Sequence, residues 1–212
     1  MNEQFWHDRW KSNQIAFHKA EANPLLVRNF PALKPQTDSI VFVPLCGKSR
    51  DLHWLAEQGY RVVGAELSRL AVEQFFEQLG ETPRVSSVGS LQRYETERIS
   101  IFQGSIFELT AEIVGPVDHV YDRGALVALP QEIRDRYAAH LRALTFAAEQ
   151  LLICYEYDQA CADGPPFSVT EHEVRRLYQD AYDLSLLEQE KVEGGLKGKC
   201  SAIESVWNLR PR

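Results

Sequence analysis

No stretch of the sequence approaches the roughly 20 consecutive apolar residues that a membrane-spanning helix needs. A basic excess is missing too: 30 acidic residues stand against 23 Lys and Arg, for a net charge of −7. Dedicated nucleic-acid binders and proteins held on anionic membranes normally carry the opposite field, so neither class of partner is expected. Cysteine is sparse. Cys46, Cys154, Cys161 and Cys200 are scattered with no C-x-x-C pair, which argues against a zinc site or a disulfide framework and for reduced thiols in the cytosol. The six histidines (7, 18, 53, 119, 140 and 172) show no ligand spacing, and no metal centre is expected. The opening Met1-Asn2-Glu3-Gln4-Phe5 has neither the charged nor the apolar block of a signal peptide.

What is present is an ordinary globular composition, 44% hydrophobic and 25% charged, over a length of 212 residues that suits one domain. The chain is organised around residues 40 to 66. Ile40 to Val43 is an unbroken run of β-branched and aromatic residues, as a strand buried on both faces requires. Pro44 and Gly47 end it in a turn. Asp51 to Gln58 reads as a helix with Leu52 and Leu55 inward, stopped by Gly59, and Tyr60 to Ala65 as a second strand that delivers Glu66 at its carboxyl end. Strand, glycine turn, helix, strand and an acid about 20 residues after the turn is the layout of a nucleoside-binding βαβ unit. A carboxylate there can accept from both ribose hydroxyls, and its charge strengthens each bond.

The flanking segments extend the pattern. Residues 1–35 are expected to form an N-terminal helical lid on the single domain 1–212. Trp6 and Trp10, four apart, share one helix face there, either as core anchors or as rings covering a ligand. Asn23-Pro24 starts a short helix. Ser68 caps a helix with Val72, Phe75, Phe76 and Leu79 inward. Further strands are expected at Ile99–Gln103, Val117–Tyr121, Leu151–Tyr157, Tyr182–Leu187 and Ile203–Leu209, the last of them half-exposed. Pro130 opens one helix and Thr170 caps another. The prediction is an α/β three-layer sandwich: a seven-stranded, mostly parallel Rossmann-like sheet ending in an antiparallel edge hairpin. Ligands of such sheets bind beyond the carboxyl ends of the strands.

Three nucleoside ligands can be weighed against these residues. Gly47-Lys48-Ser49 resembles the end of a P-loop, but Phe42 stands where its first glycine is needed, so no backbone nest can wrap phosphates. A dinucleotide site wants G-x-G-x-x-G, and only Gly47 is present. S-adenosylmethionine has a ribose and an adenine but no pyrophosphate, and a single-glycine turn with Glu66 suffices for it.

Several motifs carry a resemblance. Val43-Pro44-Leu45-Cys46-Gly47-Lys48-Ser49, Trp6-His7-Asp8-Arg9-Trp10, Ala16-Phe17-His18, Tyr121-Asp122-Arg123-Gly124-Ala125-Leu126 and Gly164-Pro165-Pro166-Phe167 resemble the thiopurine S-methyltransferases, bacterial branch, in the same order from about residue 5 to 209. The resemblance implies a class I methyltransferase fold that moves a methyl group from S-adenosylmethionine to a heteroaromatic thiol. It implies cofactor contacts at Trp10, Leu45, Glu66, Ser105, Ile106 and Arg123, with Phe17 near the acceptor and Trp6 helping to cover the site. The family's second basic residue near the acceptor has no clear counterpart, although Lys197 and Lys199 lie in that region.

The chemistry asks little beyond alignment. A sulfonium methyl is already activated, so the protein must hold the sulfur nucleophile in line and exclude water. A cation beside an aromatic thiol raises its thiolate fraction, which makes Arg123 the candidate catalytic residue, stabilising the thiolate or else the cofactor carboxylate, against the alternative of a salt bridge with its neighbourhood, for instance Asp122. Two rivals to a monomeric cytosolic thiol methyltransferase remain at this point. One methylates inorganic selenium or tellurium species or another small soft nucleophile, and the other is a non-catalytic S-adenosylmethionine-binding module.

Overall fold

The computed structural model describes residues 3–15 and 18–212. Nine strands form one sheet: β1 (Ile40–Val43), β2 (Arg61–Glu66), β3 (Arg84–Val88), β4 (Leu91–Glu95), β5 (Ile99–Gln103), β6 (His119–Arg123), β7 (Glu149–Tyr157), β8 (Tyr182–Lys191) and β9 (Ala202–Pro211). Their order is β3-β4-β5-β2-β1-β6-β7-β9-β8. The central five, β5-β2-β1-β6-β7, are parallel, and β9 runs antiparallel to both of its neighbours.

Helices cover both faces: α1 (Glu3–Lys11), α2 (Pro24–Asn29), α3 (Arg50–Glu57), α4 (Arg69–Leu79), α5 (Ala111–Val114), α6 (Gln131–Leu144) and α7 (Glu171–Tyr178). Strand alternation decides which cluster each residue joins. Val41 and Val43 meet Leu25, Leu52, Leu55, Val72 and Phe76 from α2, α3 and α4. Phe42, between them, faces Tyr137, Leu141, Val174 and Tyr178 from α6 and α7. A strand buried on both sides has no room for polar positions, which is why β1 reads as an unbroken apolar run.

Local signals act where expected. The Asn23 side chain accepts from Leu25 N at 2.8 Å with Pro24 in the first turn, Ser68 caps α4, and Thr170 caps α7; Ser49, not singled out in the sequence, caps α3. Gly80 closes α4 with φ +75°.

The sheet has nine strands, two more than the predicted seven. The extra pair is the β3–β4 hairpin, added antiparallel to β5. Arg84 to Ser87 are all exposed, so β3 carries no apolar face for a pattern search to find. The hairpin is anchored by Tyr94, stacked on Phe76, and by Leu91, buried against Gly104, where even a Cβ would come within 2.4 Å of the leucine Cδ2. β9 also departs from expectation. It lies inside the sheet between β7 and β8 and is buried from Ser205 to Leu209 on both faces.

Candidate active site

A cavity of about 470 Å³ opens beyond the carboxyl ends of β1, β2, β6 and β7. Its floor is the turn after β1. Leu45 and Gly47 both take left-handed backbone, φ +45° and +54°, which curls the turn so that its amides face β2. The Gly47 N–H donates to Oε2 of Glu66 at 2.8 Å, and the Ser68 N–H donates to Oε1 at 2.7 Å. Each carboxylate oxygen therefore has one backbone donor and keeps a second lone pair for a ligand. Glu66 is only 6% exposed. Burial pushes its carboxyl up to about 7, against the pull of the Ser68, Gly47 and Leu67 amides.

Helix α1 forms one wall. Trp6, Arg9 and Trp10 line the cavity, and the Trp10 indole rests on the Gly47 turn. The segment before α2 is tied to the sheet through Asp51, which accepts the Asn23 N–H at 2.7 Å and the Tyr121 hydroxyl at 3.0 Å.

Arg123 ends β6 and reaches the cavity from the opposite side. Asp122 precedes it but points to the other face of the sheet, where its carboxylate accepts the Tyr137 hydroxyl at 2.7 Å and the Leu126 N–H at 3.1 Å. The ion pair between Arg123 and Asp122 is thus ruled out by strand alternation. Burial opposes the charge of Arg123, but the neighbouring Tyr121, Asp51, Tyr155 and Glu204 hold it above the ordinary guanidinium value. His18 lines the cavity nearby. Burial lowers its pKa, with Lys48, Arg50 and Arg123 adding to the effect, which favours the neutral imidazole.

The far rim is the proline loop. Pro165 and Pro166 line the cavity; the Pro166 carbonyl accepts the Tyr157 hydroxyl at 2.7 Å, and the Pro165 carbonyl accepts Lys197 Nζ at 2.8 Å. Of the two C-terminal lysines, Lys197 reaches the cavity wall.

Of the residues singled out in the sequence, Trp10, Leu45, Glu66 and Arg123 come together around this one space. Ser105 and Ile106 sit one strand further out, at the carboxyl end of β5. Ile106 is buried and its carbonyl accepts His140 Nε2 at 2.8 Å. Phe17 lies outside the described residues. His18, Lys48 and Tyr155 are cavity residues that pattern reading missed. Lys48 follows the glycine turn and bonds Gln74 on α4 at 2.9 Å, and its adjacency to Gly47 was the available signal. Tyr155 could be found only from strand register. No group of acids, histidines and cysteines placed to hold a metal occurs among the described residues, and no described helix is long and apolar enough to cross a membrane.

The same architecture recurs in solved structures. The magnesium protoporphyrin IX methyltransferase of Synechocystis, solved with S-adenosylmethionine bound, superposes with a TM-score of 0.67 at 15% identity, covering 99% of this chain and 97% of that one. The 1,6-didemethyltoxoflavin-N1-methyltransferase of Burkholderia thailandensis gives 0.64 at 16%, covering 98% and 87%. The fold, with an acid at the end of β2 above a glycine turn, is that of the class I methyltransferases. Within that class the sequence is decisive. The family profile described as thiopurine S-methyltransferase matches residues 1–208. The chain is 52% identical over 210 residues to the thiopurine S-methyltransferase of Xanthobacter autotrophicus, covering 99% of each. Against that of Gluconobacter oxydans it is 48% identical over 210 residues, covering 99% of this chain and 96% of the other. The chain belongs to the thiopurine S-methyltransferase family, and it is an S-adenosylmethionine-dependent methyltransferase of that type.

Proposed function

We propose that this enzyme methylates the sulfur of small aromatic or heterocyclic thiols, with Arg123 facing the acceptor. The observation that carries this reading is the setting of Arg123. It is a half-buried cation in the cavity wall, with no carboxylate within ion-pair distance among the described residues. A positive charge held there favours the thiolate over the thiol, and the thiolate is the nucleophile. S-adenosylmethionine supplies the methyl group already activated on its sulfonium. Glu66 has the lone pairs to hold the ribose, Trp10 and Leu45 close over the nucleoside, and Ser105 and Ile106 flank its base from β5. Residues 1–35 act as a lid, and the family resemblance assigns Phe17 to acceptor recognition. Pro165 and Pro166 provide a rigid apolar rim for a flat ring. The scattered thiols and the net charge of −7 support a monomer that works in the cytosol on small molecules, without nucleic acid or membrane as partner.

The test is turnover with a methyl-labelled cofactor and a panel of acceptors: 6-mercaptopurine, a simple aromatic thiol, an aliphatic thiol, and inorganic selenium and tellurium species. Label is expected on the sulfur of the aromatic thiols. Turnover confined to the selenium or tellurium species would displace the acceptor assignment.

A further inference from the structure

Beside the cavity, three polar side chains form a row across β6, β7 and β9. Tyr155 and Glu204 are register partners on β7 and β9, so they emerge side by side on one face of the sheet. Arg123 is in register with Ile153, which sets Tyr155 on its diagonal, two residues further along the same face. Tyr155 stands between the two, and its phenol feels the charge of Glu204 on one side and of Arg123 on the other. Tyr155 and Arg123 line the cavity, with Glu204 behind them. Oxygen Oε1 of Glu204 is buried without a hydrogen-bond partner among the described residues.

Donor and acceptor counts fix the polarity of the row. A carboxylate can only accept and a guanidinium can only donate, so a phenol that bonds both must give its proton to Glu204 and turn a lone pair to Arg123. Burial pushes the phenol up to about 12, and it stays protonated throughout the working range. Placed this way, the ring separates a cation from a carboxylate that would otherwise form a bidentate pair, the strongest arrangement open to both. Such a pair would draw the guanidinium out of the cavity wall and neutralise it.

We propose that Tyr155 and Glu204 are positioning residues for methyl transfer: the phenol, anchored on the carboxylate, holds the Arg123 guanidinium aimed at the acceptor sulfur and keeps it from closing onto an acid. The proposal rests on the placement of Arg123 against the acceptor. Other charged or titratable groups face the row and are constant in the comparison: Glu190, register partner of Glu204 on β8, Lys19 near Glu204, and Asp51 with Tyr121 near Arg123.

Tyr155→Phe removes only the hydroxyl. With an aromatic thiol as acceptor, kcat is expected to fall about tenfold, as for the loss of one charge-assisted hydrogen bond. The acidic limb of the pH–rate profile should move to higher pH, because a displaced cation stabilises the bound thiolate less. Calorimetric affinity for S-adenosylhomocysteine should change by less than about twofold, since the row does not touch the Glu66 end of the cavity. Glu204→Ala should behave like Tyr155→Phe, and Glu204→Gln, which keeps an acceptor for the phenol, should recover most of the loss. A purely structural role would lower the melting temperature and kcat while leaving the acidic limb in place. An unmoved limb in Tyr155→Phe beside a moved limb in Arg123→Ala overturns the inference and leaves Arg123 its role. An unmoved limb in Arg123→Ala removes both. If Tyr155→Phe does not fold, the two Glu204 variants decide the same question.

Discussion

Trp10 lies directly on Gly47: a Cβ built on the glycine would stand 3.1 Å from the indole Cζ2. The glycine is also left-handed at φ +54°, where a side chain costs about 1–2 kcal/mol. Its N–H is one of the two that hold Glu66. Gly47→Ala therefore strains the turn, lifts Trp10 and loosens the carboxylate together. The expected result is a lower melting temperature and a loss of about tenfold or more in S-adenosylhomocysteine affinity. Calorimetry and tryptophan fluorescence would check it; wild-type affinity would show that the contact is incidental.

Glu66 makes cofactor binding depend on pH. Its carboxyl is near 7 because burial outweighs the amide donors. Ribose hydroxyls add donors to the charged form and so favour it. Affinity should fall as pH drops through 7, approaching about tenfold per unit well below it. Proton release on binding at pH 7, read from calorimetry in buffers of different ionisation heat, checks the coupling. Free-protein stability follows the opposite sign. The folded value lies above the unfolded one of about 4.3, so the stability Glu66 contributes is fully present below that value and is lost as pH rises through about 7.

The parts of the site that a sequence can reveal are those set by one strand and its own turn. Ile40 to Val43, Gly47 and Glu66 were legible because burial on both faces leaves an apolar run, and the ligand-facing acid must follow it at the strand end. The β3–β4 hairpin was not, because its core contacts come from Leu91 and Tyr94 on β4 while Arg84 to Ser87 face solvent. Tyr155 and Glu204 read as plain strand residues. Their relation to Arg123 exists only through the pairing of β6 with β7 and of β7 with β9, a fact about register that no local pattern contains. Trp6 and Trp10 were legible as one helix face, but only the fold reveals that this face meets the glycine turn.

Cys46 fills the space that Gly64 leaves open. A Cβ on Gly64 would meet the Cys46 sulfur at 2.8 Å, with Ile101 and Leu52 at 3.3 and 3.4 Å. Gly64→Ala alone should destabilise by about 1–3 kcal/mol through overpacking. Cys46→Ala removes the sulfur and makes room, so the double variant should be more stable than the sum of the two losses by about 0.5 kcal/mol or more. Denaturant unfolding of the four proteins measures the coupling, and strict additivity would contradict the contact.

Asp122 offers a matching test on the other face of the sheet. It is fully buried, and burial pushes its carboxyl up to about 6 although Tyr137, Leu126 and Ala125 donate to it. The folded value lies above the unfolded one of about 3.9, so its contribution to stability is lost as pH rises through about 6. The Tyr137 hydroxyl bond favours the charged form and limits that loss. Tyr137→Phe should then cost about 1–3 kcal/mol at pH 8, where Asp122 is ionised, and clearly less at pH 5, where it is largely protonated. Urea unfolding at the two pH values reads the difference. An equal cost at both would mean that the ring's packing, and not its hydrogen bond to a charged carboxylate, is what the substitution disturbs.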